Sequence, residues 1–242
     1  VSNRFYCPTP SREGKFRLDA EESRHLLRVC RHTVGDRVEL FDGAGLSYVA
    51  RVVECGKDAA WLEPEGPPTS DPAPPCLIEI GTAVPKGDRF DWLVEKAVEL
   101  GVARLAPLIT ERSVVDPRGS KLDRLRKTVV EASKQSGRSR LMDIDAPTNL
   151  RAFLERSDGL KLLADPAGVS PEGWPAIVRG AVVRLAVGPE GGFTEAERAL
   201  AVSLGWRPIR LGPNILRIET AVLAGAAAIL ARCEPGDDQP VH

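Results

Sequence analysis

Two glycine-punctuated turns near the C-terminus hold the residues best placed to do chemistry: Val187-Gly188-Pro189-Glu190-Gly191-Gly192-Phe193 and Leu211-Gly212-Pro213-Asn214-Ile215-Leu216-Arg217-Ile218-Glu219-Thr220. Each follows an apolar, strand-like run and precedes a helix-like one, so the two can meet at one end of a sheet and enclose a small molecule. In the first turn, Gly188, Gly191 and Gly192 permit positive φ angles and close backbone approach to a ligand. Thr194 followed by Glu197 predicts a capping box at the start of the next helix. The spacing is neither G-x-G-x-x-G nor G-x-x-x-x-G-K-[ST], and Glu190, Glu195 and Glu197 put negative charge where a phosphate would want bare amides. A neutral or cationic ligand suits such a loop. S-adenosylmethionine, with a sulfonium and no phosphate, meets that condition, although a plain tight turn would use the same residues.

The second turn lies between a short strand, Pro208–Leu211, and a helix-like run from Ala221 to Ala231. Ala221, Ala224, Gly225 and Ala228 follow helical spacing, and Val222, Ala226, Ile229 and Leu230 make the other side apolar too. A helix apolar all round is expected to be buried, with its small face open to a close neighbour within the chain or across a subunit contact.

Together the two turns resemble the signature motifs of the RsmE family, bacterial 16S ribosomal RNA uridine N3-methyltransferases of the SPOUT class. The resemblance extends over nearly the whole chain. It takes in His25-Leu26-Leu27-Arg28-Val29, Gly35-Asp36 with Leu40-Phe41-Asp42-Gly43, and Lys86-Gly87 ahead of Glu95 to Val102. It continues through Glu111-Arg112-Ser113 and Glu131 to Arg138. Two positions depart from the family pattern, Asn214 where an Arg is usual and Ile218 where a Thr is usual; Arg217, Glu219 and Thr220 are kept.

The resemblance implies an α/β SPOUT methyltransferase domain over 76–242, with a mainly parallel sheet and a deep trefoil knot, preceded by a small β-rich PUA-like RNA-binding barrel over 1–70. It implies a homodimer, S-adenosylmethionine as cofactor, and 16S rRNA within the small ribosomal subunit as partner. Leu163, Gly188, Glu190, Gly191, Gly192, Leu211, Gly212 and Leu216 are the expected cofactor contacts. Arg4, Arg24, Arg28, Arg31, Lys86, Arg112, Lys134 and Arg138 are the expected RNA contacts. Uracil N3 is a poor nucleophile until its proton leaves, so the site must stabilise a developing anion and accept a proton. Arg217 is the candidate anion stabiliser, Glu219 the proton acceptor or orienting group, and Thr220 a substrate contact; alternatively Glu219 and Thr220 simply cap the final helix. Three rivals compare with it: a SPOUT enzyme with another RNA target, a non-catalytic RNA-binding module, and a phosphate-binding α/β enzyme, against which the acidic first turn argues.

The elements that must carry these residues are legible more coarsely. Gly66 to Pro75 is too rich in proline for a helix or a central strand and predicts a linker. Before it, Arg37–Phe41 and Tyr48–Val53 read as strands around an Asp42-Gly43-Ala44-Gly45 turn. After it, strand-like runs at Leu77–Gly81, Leu105–Ile109, Lys161–Asp165 and Ala181–Val187 alternate with helix-like ones, the first capped by Asp88 and ended by Gly101.

The 242 residues carry a net charge of −1, with 43% hydrophobic and 28% charged residues, as in an ordinary globular protein. No run approaches bilayer length and no signal-peptide pattern is seen, which predicts a cytoplasmic protein. Cys7, Cys30, Cys55, Cys76 and Cys233 are dispersed, and His25, His32 and His242 add no ligand cluster, so neither a disulfide framework nor a metal is expected. His25 reads as a packed or RNA-facing side chain. From Lys121 to Arg140 seven basic residues (Lys121, Arg124, Arg126, Lys127, Lys134, Arg138 and Arg140) face two acidic ones, Asp123 and Glu131. Leu122, Leu125, Val129 and Ala132 mark the buried stripe there, which leaves most of the basic groups pointing outward; alone they read as a solvated helix face, and the family resemblance turns them toward RNA phosphates.

Overall fold

A computed structural model of the chain describes residues 3–8, 14–56, 58–115 and 119–233, leaving aside the side chains of 119–121. His242 and the side chain of Lys121 lie outside the described residues. The chain forms two compact units, one from residues 1–72 and 130–141, the other from 73–129 and 142–242.

The first unit contains β1 (Arg4–Tyr6), β2 (Phe16–Arg17), α1 (Ala20–Arg24), β3 (Arg37–Phe41), β4 (Leu46–Cys55), β5 (Ala60–Pro64) and β6 (Thr69–Ser70). Its strands form one sheet in the order β1-β3-β4-β5-β2, with β6 also pairing β4. Alternation along the strands turns Phe5, Val38, Leu40, Ala50, Val52 and Leu62 into a common core. The expected turn after β3 is present: Gly43 and Gly45 stand at φ +81° and +110°, and the Asp42 carboxylate accepts from the amides of Ala44 and Leu46. The proline-rich linker is not wholly irregular, because Thr69 and Ser70 fall between its prolines and pair with Ser47 and Leu46.

In the second unit the chain runs through β7 (Leu77–Ala83), α2 (Arg89–Glu99), β8 (Arg104–Ile109), α3 (Gly119–Ser136), β9 (Asp143–Ile144), β10 (Thr148–Asn149) and α4 (Leu150–Leu154). It continues through β11 (Leu160–Val169), β12 (Val182–Val187), α5 (Glu195–Ser203), β13 (Arg207–Ile209) and α6 (Ile218–Arg232). The last turns of α3 belong to the first unit. The sheet has the order β10-β8-β7-β12-β11-β13, with β9 beside β8, and every pairing in it is parallel.

Parallel strands covered on both faces read as continuous apolar runs, and β12 is buried from Val183 to Val187. Arg184 is the exception. The β7–β12 register places it opposite Glu79, whose Oε2 accepts from Arg184 Nε at 2.8 Å. On one side of the sheet Ala106, Phe153, Leu163, Ala186, Phe193 and Trp206 form a core cluster, and Trp206 Nε1 donates to the Leu154 carbonyl at 2.9 Å.

Three expectations change. Asp88 occupies the cap position of α2, but its backbone is already helical and its side chain makes no capping bond; Gly101, at φ +74°, ends the turn after α2 as expected. Helix α6 starts at Ile218 rather than Ala221 and is not buried all round. Its inner face packs on α2, β7 and β12, while Leu223 and Leu230 are half-buried and Ala227 is exposed. The dispersed cysteines are not all apart either. Cys76 and Cys233 meet with their sulfurs at 2.8 Å, and burial followed by this contact pushes the Cys76 thiol up to about 12.

Close packing of β7 on α4 gives a direct check. A Cβ at Gly81 would stand 2.6 Å from the Phe153 ring. Gly81→Ala is therefore expected to cost about 1–3 kcal/mol through overpacking, read as a lower urea midpoint.

Candidate functional site

The strands that precede the two glycine turns, β12 and β13, are not neighbours, because β11 lies between them. The three neighbouring strands end at one edge, and there Ala164, Asp165 and Pro166 of β11 join both glycine turns around a cleft of about 310 Å³. Of the expected cofactor contacts, Gly188, Glu190, Gly191, Gly192, Leu211, Gly212 and Leu216 line it. Leu163 does not. Its side chain turns into the core beside Phe153 and Trp206, so the strand's next residues supply the lining instead. Asp165, Arg198 and Arg210 also line the cleft and were not anticipated, since no local motif marks them.

The first turn is held from within. Only Gly192 among its glycines adopts a positive φ, +67°, and its amide donates to the Pro189 carbonyl at 2.8 Å. Gly188 and Gly191 lack a side chain for packing reasons. A Cβ at Gly188 would press on the Phe193 ring at 3.2 Å, and one at Gly191 on Arg112 Cδ at 3.3 Å. The capping box forms as expected: the Thr194 hydroxyl accepts from Glu197 N, and the Glu197 carboxylate accepts from Thr194 N at 2.8 Å.

This lining fits S-adenosylmethionine. Val187, Leu211, Ile215, Leu216 and Ile218 offer an apolar surface for a purine, and Asp165 and Glu190 provide carboxylates, of which Asp165 lies 3.8 Å from Arg198. At the start of α5 the amides of Thr194 and Glu197 are engaged by the capping box, which leaves them unable to hold a phosphate. Gly212 lines the cleft with no protein atom within 4 Å of the place a Cβ would take, so its bareness keeps space open for a ligand.

Arg217 lies between two residues of the cleft wall, Leu216 and Ile218. Its backbone is extended, at φ −67° and ψ 159°, and it is the N-cap of α6 without a side-chain capping bond. The reading in which Thr220 caps this helix is thereby corrected. Glu219 and Thr220 sit inside the first turn, where a carboxylate also gains from the helix dipole. Thr220 is exposed, whereas Glu219 is 7% exposed. Its Oε1 lies 3.6 Å from Arg89 Nη1, and among the described residues Oε2 has no hydrogen-bond partner. Of the two departures from the family pattern, Asn214 is exposed at the cleft and Ile218 is buried in its wall.

The expected RNA contacts separate into distinct classes. Arg24, Arg28, Arg31 and Lys86 are exposed, and Arg138 is half-buried. Arg4 and Lys134 are corrected, because both are committed inside the first unit. Arg4 is buried, donates to Ser139 Oγ at 2.9 Å and to the Ser133 carbonyl, and stacks over Phe41. Lys134 is 2% exposed, with its ammonium 2.8 Å from Glu22 and 3.0 Å from Glu131. The buried Glu22 demands a cation, and α3 supplies it from beyond its apolar stripe. His25 is packed against Phe5 beside this pair. Burial, with the Lys134 ammonium next to it, lowers its pKa, so the neutral ring accepts from Lys134 at 3.1 Å. In the basic stretch Arg124 pairs with Asp91 and Arg126 with Asp123. Arg112 donates to the Gly191 carbonyl at 2.6 Å.

Among the described residues no group of three or more His, Cys, Asp or Glu is placed to hold a metal ion, and no helix is long and apolar enough to cross a membrane.

A family profile described as an RNA methyltransferase domain matches residues 72–230, and one described as an RNA methyltransferase PUA domain matches 18–65. The chain is 33% identical over 229 residues to ribosomal RNA small subunit methyltransferase E of Synechocystis sp., covering 92% of this chain and 75% of that protein. With the Bacillus subtilis protein of the same name it shares 30% identity over 90% of this chain and 91% of that one. The crystal structure of ribosomal RNA small subunit methyltransferase E from Neisseria gonorrhoeae bound to S-adenosyl methionine superposes with a TM-score of 0.86 at 33% identity, covering 96% and 98% of the two chains.

The commitment of Lys134 to Glu22 has a measurable consequence. Lys134→Ala leaves a buried carboxylate without its principal partner and is expected to lower the unfolding free energy by about 3–5 kcal/mol in chemical denaturation.

Proposed function

We infer the chemistry of this chain from the premise that it belongs to the ribosomal RNA small subunit methyltransferase E family. It is an S-adenosylmethionine-dependent methyltransferase of ribosomal RNA, with an α/β parallel-sheet methyltransferase domain preceded by a small PUA-like domain. We propose that its target atom is N3 of a uridine in 16S rRNA, presented in the small ribosomal subunit. One observation supports this choice: Arg217, without a side-chain capping bond, and the buried Glu219, whose Oε2 has no hydrogen-bond partner among the described residues, flank Ile218 of the cleft wall.

Bound S-adenosylmethionine supplies a methyl group already activated by its sulfonium. The protein's part is to make N3 nucleophilic and to aim it. Glu219 Oε2 takes the N3 proton, while Arg89, 3.6 Å from Oε1, orients the carboxylate. Arg217 donates to a uracil oxygen as negative charge develops on the ring, and Thr220 bonds the base edge. Gly188, Glu190, Gly191, Gly192, Leu211, Gly212 and Leu216 hold the cofactor, and Leu163 supports them from the core behind.

In the same reading, residues 1–70 form the RNA-binding domain and 76–242 the catalytic domain, which contains a trefoil knot. Arg24, Arg28, Arg31, Lys86 and Arg138 contact RNA. The enzyme is cytoplasmic, uses no metal, has no membrane partner and works as a homodimer; the incompletely covered Leu223, Ala227 and Leu230 stripe of α6 supports a subunit contact.

Arg217→Ala is expected to lower kcat by roughly 10²–10³. Its affinity for S-adenosylmethionine in calorimetry should stay close to wild type. Glu219→Gln, which keeps the shape, should lose about 10²–10⁴ in kcat. Near-normal turnover of either variant would contradict its assigned role.

A further inference from the structure

We propose that the turn following β8, Thr110–Ser113, is a strap on the cofactor loop, and that Arg112 is a positioning residue for S-adenosylmethionine rather than an RNA contact. The proposal rests on the reading of the cleft as the S-adenosylmethionine site.

The turn is closed on itself before it touches anything else. Thr110 N donates to Ser113 Oγ at 2.9 Å, and Ser113 N donates to the Thr110 carbonyl at 3.1 Å. Glu111 and Arg112 are thereby presented as a pair. Strand β7 lies between β8 and β12, so this pair reaches past a whole strand to the glycine loop. Glu111 N donates to Glu197 Oε1 at 2.9 Å, while Glu197 Oε2 accepts from Thr194 N. One carboxylate thus joins the strap to the start of α5.

The Arg112 bond acts at the point where the loop is least determined. Gly191 and Gly192 are adjacent, and two glycines in sequence let the peptide plane between them turn over at little steric cost. That plane is fixed at both ends. Arg112 Nη1 donates to its carbonyl, Gly191 O, at 2.6 Å, and its amide, Gly192 N, donates to the Pro189 carbonyl at 2.8 Å. The Arg112 side chain also fills the place beside Gly191 where a Cβ would stand. Both glycines line the cleft, so the orientation of this one peptide shapes the wall that the ligand meets. Without Arg112, binding must order the plane itself and loses affinity accordingly.

The test is calorimetry of S-adenosylmethionine on wild type, Arg112→Ala and Arg112→Lys, with binding of a naked 16S rRNA fragment measured across a salt series. Arg112→Ala should weaken S-adenosylmethionine roughly tenfold, the scale of one charged hydrogen bond, and leave RNA affinity and its salt slope unchanged. Arg112→Lys, which retains a cationic donor for a single carbonyl, should recover most of the loss. Unchanged cofactor affinity in Arg112→Ala would overturn the strap. A salt slope reduced by about one under that condition would identify a phosphate contact instead. A wild-type protein that binds no S-adenosylmethionine would overturn the cofactor reading and the strap together.

Discussion

When every strand of a sheet runs in one direction, consecutive strands must be joined by crossovers, and all of their carboxyl ends collect at one edge. The cleft depends on that constraint. Strands β12, β11 and β13 are neighbours, so segments far apart in sequence arrive together there with no need for a local motif to unite them. Register fixes which side chains face the edge. In β7–β12 it is marked by the buried Arg184 opposite Glu79, a pair that a slip of one residue would leave mismatched. Phe193 then folds beneath Gly188 and joins the core cluster with Leu163 and Trp206, tying the first turn to the sheet that carries it.

Charge is used sparingly at the cleft and heavily elsewhere. Several cations that a count along the sequence would assign to a nucleic-acid surface serve the protein's own architecture. Lys134 neutralises Glu22, Arg4 joins β1 to the turn after α3, and Arg124 pairs with Asp91. Arg112 is committed to a backbone carbonyl of the glycine loop. Of the cations expected from the sequence to meet RNA, Arg24, Arg28 and Arg31 in the first unit and Lys86 after β7 are exposed and outside these pairings. A protein with a net charge of −1 does not bind polyanions by bulk attraction.

Much of this was legible in the residues themselves. The apolar runs became strands of one parallel sheet, the Thr194–Glu197 signature became a capping box, and most of the residues expected in the cleft line it. The strands and the capping box follow from local periodicity and side-chain chemistry, and the cleft residues from the family resemblance. The misses have a common origin in long-range packing. Leu163 enters the core and Asp165 lines the cleft although regular alternation would put both on one face, and the irregularity of β11 between Ala164 and Val169 intervenes. The cap of α6 passed to Arg217 because the helix extends through Glu219 and Thr220. The burial of Lys134 needed a carboxylate 112 residues away, and the role of Arg112 needed a carbonyl 79 residues away. No window along the sequence contains either pair.

The central claim, methylation of uracil N3 in the small-subunit RNA, is tested most directly by incubating the enzyme with labelled S-adenosylmethionine and unmodified small ribosomal subunits, followed by mass spectrometry of the nucleosides. The account predicts N3-methyluridine from the subunits, and its loss with Arg217→Ala. A label found only in 2′-O-methylated nucleosides, or only in transfer RNA, would contradict it.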